Sequence, residues 1–191
     1  MRLLIKDKYF IPYIDSEALS QRVQQLGRQI SHDYAGKYPL FIAVLNGAFI
    51  FAADLIRTVD IPSEISFVKF TSYHNMHSSG TVDQIIGIEE DLRGRHIIVI
   101  EDIIDTGITI TEVIAEIKRY QPASVEVVAL LLKPDALQKA VQIKYVGFCI
   151  EPRFVVGYGL DYDGYGRNLR DLFILDQIPD PQGDLKDWST E

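Results

Sequence analysis

The stretch that most limits what this chain can become runs from His96 to Thr109. His96-Ile97-Ile98-Val99-Ile100 is apolar and rich in β-branched residues, which reads as a strand buried on both faces. It ends in two adjacent carboxylates, Glu101 and Asp102. A short turn with Asp105, Thr106, Gly107 and Thr109 follows, and Ile110 to Tyr120 carry helical spacing. Strand, polar turn and helix make one unit of an open α/β sheet, where ligands settle beyond the carboxyl ends of the strands. N–H groups at the start of such a helix lack intrahelical partners and can hold an anion. The predicted class is α/β, a central and mostly parallel sheet flanked by helices.

The three acids narrow the chemistry, since a bare phosphate pocket has no use for them. Glu101 and Asp102 suit a sugar whose hydroxyls need acceptors, or a Mg²⁺ ion that bridges those hydroxyls to phosphate. Asp105, inside the turn, is placed to accept a proton or to face positive charge developing on a substrate. A plainer reading makes the same residues a solvated strand end with acids near a helix N-terminus, where acids are favoured anyway. Spacing alone leaves both readings open.

At 191 residues the chain suits one domain, and 47% hydrophobic with 24% charged residues is a globular composition. Apolar runs such as Val125 to Leu132 fall far short of a bilayer span, so no membrane association is expected. The opening Met-Arg-Leu-Leu-Ile-Lys-Asp-Lys does not read as a secretory h-region. The single Cys149 reads as a reduced core thiol among apolar neighbours, and cytoplasm is the expected location. With a net charge of −8 and scattered Lys and Arg, no nucleic-acid partner is expected. A small phosphorylated substrate remains compatible, because dipoles, a few basic groups and a divalent ion suffice to hold it.

Other elements follow in order. Leu3 to Tyr9 reads as an edge strand or coil, and Ser16 to Tyr34 as a helix capped by Asp15 or Ser16 with Leu19, Val23, Leu26 and Ile30 inward. Leu40 to Leu45 is a buried strand, broken by Asn46-Gly47 before a helix from Ala48 to Thr58. Asn46-Gly47 is a common turn former, yet Gly47 also allows backbone that bares N–H groups to an anion. Ile65 to Phe70 is a strand, and the polar stretch Thr71 to Thr81 is either surface loop or functional lid. His74 and His77 lack the further ligands a zinc site needs. Val82 to Ile88 pairs as a hairpin strand, Ser124 to Leu132 is a deep strand ending at Lys133, and Tyr145 to Cys149 and Asp171 to Asp176 are the last strands. Pro179 to Glu191 is a polar tail.

Glu101-Asp102-Ile103-Ile104-Asp105-Thr106-Gly107 resembles the phosphoribosyl-diphosphate loop of the purine phosphoribosyltransferases, most closely the hypoxanthine–guanine branch. The resemblance extends from about Leu40 to about Leu175, through separated motifs in one order. It implies the type I fold: one domain over 1–191, with a core of about 36–145 and 170–178, and a hood from the N-terminal segment and about 146–169. It implies that Asp105, Thr106, Gly107, Ile108 and Thr109 hold a 5′-phosphate, that Glu101 and Asp102 serve the ribose and Mg²⁺, and that Asp105 takes the proton from the base. Leu45, Asn46, Gly47, Ser72, Tyr73 and Arg167 would face pyrophosphate, the Leu45–Asn46 loop being one that can carry a cis peptide. Many members have a basic residue where Asn46 stands here, which shifts that task to backbone, Mg²⁺ and other residues. Ser72 and Tyr73 match a mobile lid. Lys133 matches the donor to a purine 6-oxo group, Phe154 the ring stacked on the purine, Val155 a residue at the base edge, and Asp161 a residue near the purine 2-position and a second Mg²⁺. The proline in Glu151-Pro152-Arg153 departs from the family pattern.

The implied reaction joins hypoxanthine or guanine to 5-phospho-α-D-ribose 1-diphosphate, giving IMP or GMP and pyrophosphate in purine salvage. Homodimers or homotetramers are the implied assemblies. Three alternatives compete: a xanthine- or adenine-using relative, a nucleotide-sensing regulator on the same fold, and a Rossmann or P-loop binder. Lys133 opposes adenine, the acidic composition opposes an RNA-binding regulator, and the glycine signatures of the third are missing.

Overall fold

The computed structural model describes residues 2–71, 83–87 and 90–177. A hairpin, β1 (Leu3–Ile5) and β2 (Lys8–Ile14), leads into α1 (Ser16–Asp33), β3 (Leu40–Leu45), α2 (Phe49–Ile56) and β4 (Glu64–Thr71). Next come β5 (Asp83–Ile86), β6 (His96–Ile104), α3 (Ile108–Arg119) and β7 (Ser124–Leu132). A short 3-10 turn (Pro134–Ala136), β8 (Tyr145–Cys149), β9 (Val155–Val156) and β10 (Leu172–Leu175) complete the order.

The larger sheet runs β5-β4-β3-β6-β7-β8. Its strands from β4 to β8 in that order are parallel, and β5 joins the β4 edge antiparallel. The central run of β6 shows no polar alternation because both of its faces are covered. Ile98 and Ile100 join Leu19, Val23, Leu26 and Ile30 of α1 and Phe51 and Leu55 of α2 in one core layer. Ile97 and Val99 face the other way, into a layer with Ile110, Val113 and Ile117 of α3. Each of these side chains is nearly solvent-free, a burial that stabilises by roughly 1.5–3 kcal/mol apiece. Asp15 caps α1, its Oδ1 accepting from the Ala18 N–H at 2.8 Å.

The smaller sheet is antiparallel, in the order β1-β2-β10-β9, around Leu3, Ile5, Phe10 and Val156. It corrects the expected boundaries twice. The segment 170–178, expected in the core, supplies β10, which sits between β2 and β9. Residues 146–149, expected in the hood, belong to β8 at the edge of the larger sheet. Short apolar runs look alike in sequence, and only their hydrogen-bonding partners distinguish the sheets. Cys149, the last residue of β8, is exposed rather than a core thiol, and among the described residues no strand lies beyond β8.

Candidate active site

Parallel strands bring their carboxyl ends to one edge of the sheet, and there β3, β6 and β7 deliver the loops at Asn46, Asp105 and Lys133. β6 runs on to Ile104, beyond the apolar run that ends at Ile100. Ile103 and Ile104 still pair with Leu131 and Leu132, so Glu101 and Asp102 lie within the strand rather than at its tip. Their surroundings are correspondingly dry. Burial, with the charge of Asp102 as the lesser cause, pushes the Glu101 carboxyl well above the usual range, and its Oε2 is buried without a hydrogen-bond partner. Burial likewise pushes Asp102 up to about 6, although its Oδ1 accepts from the Ile103 N–H at 2.8 Å.

Beyond β6 the chain turns through Asp105, Thr106 and Gly107. Gly107 takes φ +78°, a left-handed conformation that glycine adopts without penalty, and starts α3. A cavity of about 90 Å³ is lined by Asp105, Thr106, Gly107 and Thr109, with Glu101 at its wall. The first amides of α3 follow that turn, and the earliest backbone bond of the helix there is Thr111 N–H to Gly107 O at 3.2 Å. Hydroxyls and helix-start amides, the Ile108 N–H among them with only a long 3.4 Å bond to Thr106 Oγ1, surround a small hole that fits a phosphate group.

Lys133 leaves the end of β7, its N–H donating to Ile104 O at 2.9 Å. Its buried side chain crosses to the turn, where Nζ donates to Asp105 Oδ2 at 2.6 Å. A buried cation and a half-exposed carboxylate therefore stand side by side, the residues expected at the purine 6-oxo group and at the base proton.

The opposite wall is built by close backbone approach. The Leu45–Asn46 peptide is cis. A Cβ on Gly47 would fall 1.6 Å from Asp102 Oδ2, and one on Gly159 would fall 2.2 Å from Gly47 O. Arg167 donates from Nη1 to Gly159 O at 2.7 Å, and its Nη2 meets Asp161 Oδ1 at 2.6 Å. Arg167 and Asp161 both act electrostatically on Asp102, in opposite directions, which places the three charges in one neighbourhood. Phe154 is 44% exposed, its ring set near Phe10 and, edge to face, against Tyr162 at 5.8 Å. Val155 is buried in β9. Ser72 and Tyr73, with His74 and His77, lie outside the described residues.

Comparison with known proteins places the chain in a family. The phosphoribosyl transferase domain profile matches residues 13–163. This chain belongs to the phosphoribosyltransferase family. A protein named hypoxanthine-guanine phosphoribosyltransferase from Mycobacterium bovis is 38% identical over 170 residues, covering 85% of this chain and 84% of that one. One of the same name from Streptococcus pneumoniae is 36% identical, covering 85% and 91%. Among solved structures, a hypoxanthine-guanine phosphoribosyltransferase from Bacillus anthracis superposes with a TM-score of 0.82 at 36% identity, over 86% of this chain and 97% of that chain. A hypoxanthine phosphoribosyltransferase from Staphylococcus aureus gives 0.83 at 34%, over 87% and 91%.

For a phosphoribosyltransferase, the donor set here fits a hard divalent cation in one specific way. Glu101 and Asp102 offer carboxylate oxygens, one of them buried and unpartnered. Asp161, expected beside a second ion, has both oxygens engaged, by Arg167 and by the Gly164 N–H at 2.7 Å. Among the described residues no three His, Cys, Asp or Glu side chains converge as a metal cluster. The pair therefore suits an ion that takes most of its ligands from substrate, as Mg²⁺ does. Two features of this wall escaped sequence reasoning: the approach of Gly159 to Gly47 and the position of Tyr158. The alternation Gly157-Tyr158-Gly159 was the available sign of unusual backbone.

Proposed function

We propose that this phosphoribosyltransferase transfers the 5-phosphoribosyl group from 5-phospho-α-D-ribose 1-diphosphate to N9 of hypoxanthine or guanine, releasing pyrophosphate. The observation that carries the reading is the Lys133–Asp105 pair. A 6-oxopurine presents an acceptor, O6, next to a donor, N7–H, on one edge, and a lysine beside a carboxylate is the complement of that edge. Adenine would turn an amino group toward the ammonium, a mismatch of about 1–3 kcal/mol in a buried site.

The 5′-phosphate rests on the Asp105 to Thr109 turn, held by Thr106 and Thr109 hydroxyls and the α3 amides. Glu101 and Asp102 orient the ribose hydroxyls. Arg167 and the Asn46–Gly47 backbone receive the diphosphate. As the N9–C1′ bond forms, the C1′–O bond to diphosphate breaks, and the N7 proton passes to Asp105. Phe154 holds the purine ring, with the small sheet as a hood that keeps water from the reacting carbon. Mg²⁺ at Glu101 and Asp102 would neutralise charge on the sugar diphosphate. A cytoplasmic homodimer or homotetramer is the proposed working form.

Pyrophosphate release by purified protein, measured with hypoxanthine, guanine, xanthine and adenine in turn, tests the reading. Turnover of hypoxanthine or guanine that disappears when Mg²⁺ is chelated is expected. Failure of all four bases while the diphosphate still binds would replace the enzyme by a nucleotide sensor.

A further inference from the structure

Next to Gly159, whose carbonyl accepts from Arg167, lies a contact that the reaction does not use. Tyr158 stands between Gly157 and Gly159 at φ +48°, although it is a bulky aromatic residue, and its side chain is buried. Such a residue keeps that backbone only where its surroundings over-determine it. Here they do. Its N–H donates to Leu169 O at 2.9 Å, and its hydroxyl donates to Asp54 Oδ2 at 2.6 Å. Burial, and then the Asp54 carboxylate, raise the phenol's pKa, so it remains a donor at every working pH.

Asp54 lies on α2, the helix that begins directly after the Asn46–Gly47 loop. Ile50, one turn earlier on the same face, is 3.8 Å from where a Cβ on Gly159 would stand. Gly159 in turn donates its N–H to Arg167 O at 3.0 Å and accepts from the Arg167 guanidinium. Two strand-to-strand connections, far apart in sequence, thus meet at one hydrogen bond.

We propose that Asp54 and Tyr158 form a positioning clasp, which sets the guanidinium of Arg167 and the backbone of Gly47 in register for the two ends of one diphosphate. This rests on the reading of that wall as the pyrophosphate site. Neither residue touches substrate, and the clasp acts through Gly159.

The test uses the full chain with inorganic pyrophosphate and Mg²⁺ as the probe, by titration calorimetry, beside steady-state kinetics for both substrates. Tyr158→Phe and Asp54→Ala are each expected to weaken pyrophosphate binding about 3- to 12-fold, the ratio equivalent to one hydrogen bond. The KM for the diphosphate substrate should rise with it, while the KM for the base stays within about twofold. Asp54→Asn, which keeps an acceptor for the phenol, should restore near-native affinity. Pyrophosphate affinity within threefold of wild type in Asp54→Ala overturns the clasp, whatever happens to thermal stability, and that variant decides if Tyr158→Phe does not fold. A rise in both KM values together also overturns it. Absence of turnover in the wild type would instead count against the proposed reaction, and the pyrophosphate titration would still judge the clasp.

Discussion

Lys133 fixes the orientation of the Asp105 carboxylate before any substrate arrives, at 2.6 Å. Asn in place of Asp105 would keep an oxygen for the lysine but could not take up a proton. Asp105→Asn is therefore expected to lower kcat by about 10²- to 10⁴-fold with KM values little changed, as read by steady-state kinetics. Unchanged kcat would remove Asp105 as the proton acceptor. Asp102 makes the opposite trade, function against stability. Its folded pKa of about 6 lies above the ordinary 3.8, so the folded state holds the proton more tightly than the unfolded one. The stability this lends is complete below the ordinary value and is lost as pH rises through about 6. Asp102→Asn should consequently stabilise metal-free protein at pH values above about 7 by roughly 1–3 kcal/mol, read as a higher melting temperature. The difference should vanish near pH 4, a trend that thermal melts in chelator would reveal.

Between elements, the end of α1 is tied to β8 by charge. Tyr145 donates its hydroxyl to Asp33 Oδ2 at 2.8 Å, and Lys144 Nζ lies 3.3 Å from the same oxygen. Hydrogen bonding from Tyr145, then from His32, holds the Asp33 carboxyl down to about 2. A depressed acid stabilises above its unfolded pKa, and that contribution fades as pH falls through the folded one. Wild type should thus be more stable than Asp33→Asn by a constant margin near neutrality, about 1 kcal/mol or less at this partly exposed site. The margin should close between about pH 4 and pH 2 in scanning calorimetry. At the far end of the same strand, exposed Cys149 should react with an aromatic disulfide reagent in the native protein. One thiol per chain without denaturant is the expected titration, and a thiol that reacts only after unfolding would contradict the edge position of β8.

Across the whole molecule, what could be read from the residues was whatever depends on neighbours in the chain. The β-branched runs became β3, β6 and β7, the Asp15 cap and apolar stripe became α1, and the Asp105–Gly107 turn opened α3, because periodicity and capping are local. Motif order also pointed to the residues gathered at the carboxyl edge. What local signals could not carry was partnership. The apolar runs Tyr145–Cys149 and Leu172–Leu175 are similar in kind, yet one edges the large sheet and the other sits inside the small one. Nothing near Lys133 in sequence announces Asp105, and nothing near Tyr158 announces Asp54, since 28 and 104 positions separate the partners. By itself the sequence determined the class of fold and the turn that opens α3, to which we assign the phosphate, both being properties of contiguous residues. Tertiary structure alone decided which charges meet, how dry Glu101 and Asp102 become and what holds Arg167, because burial and hydrogen bonding are settled only when distant segments pack.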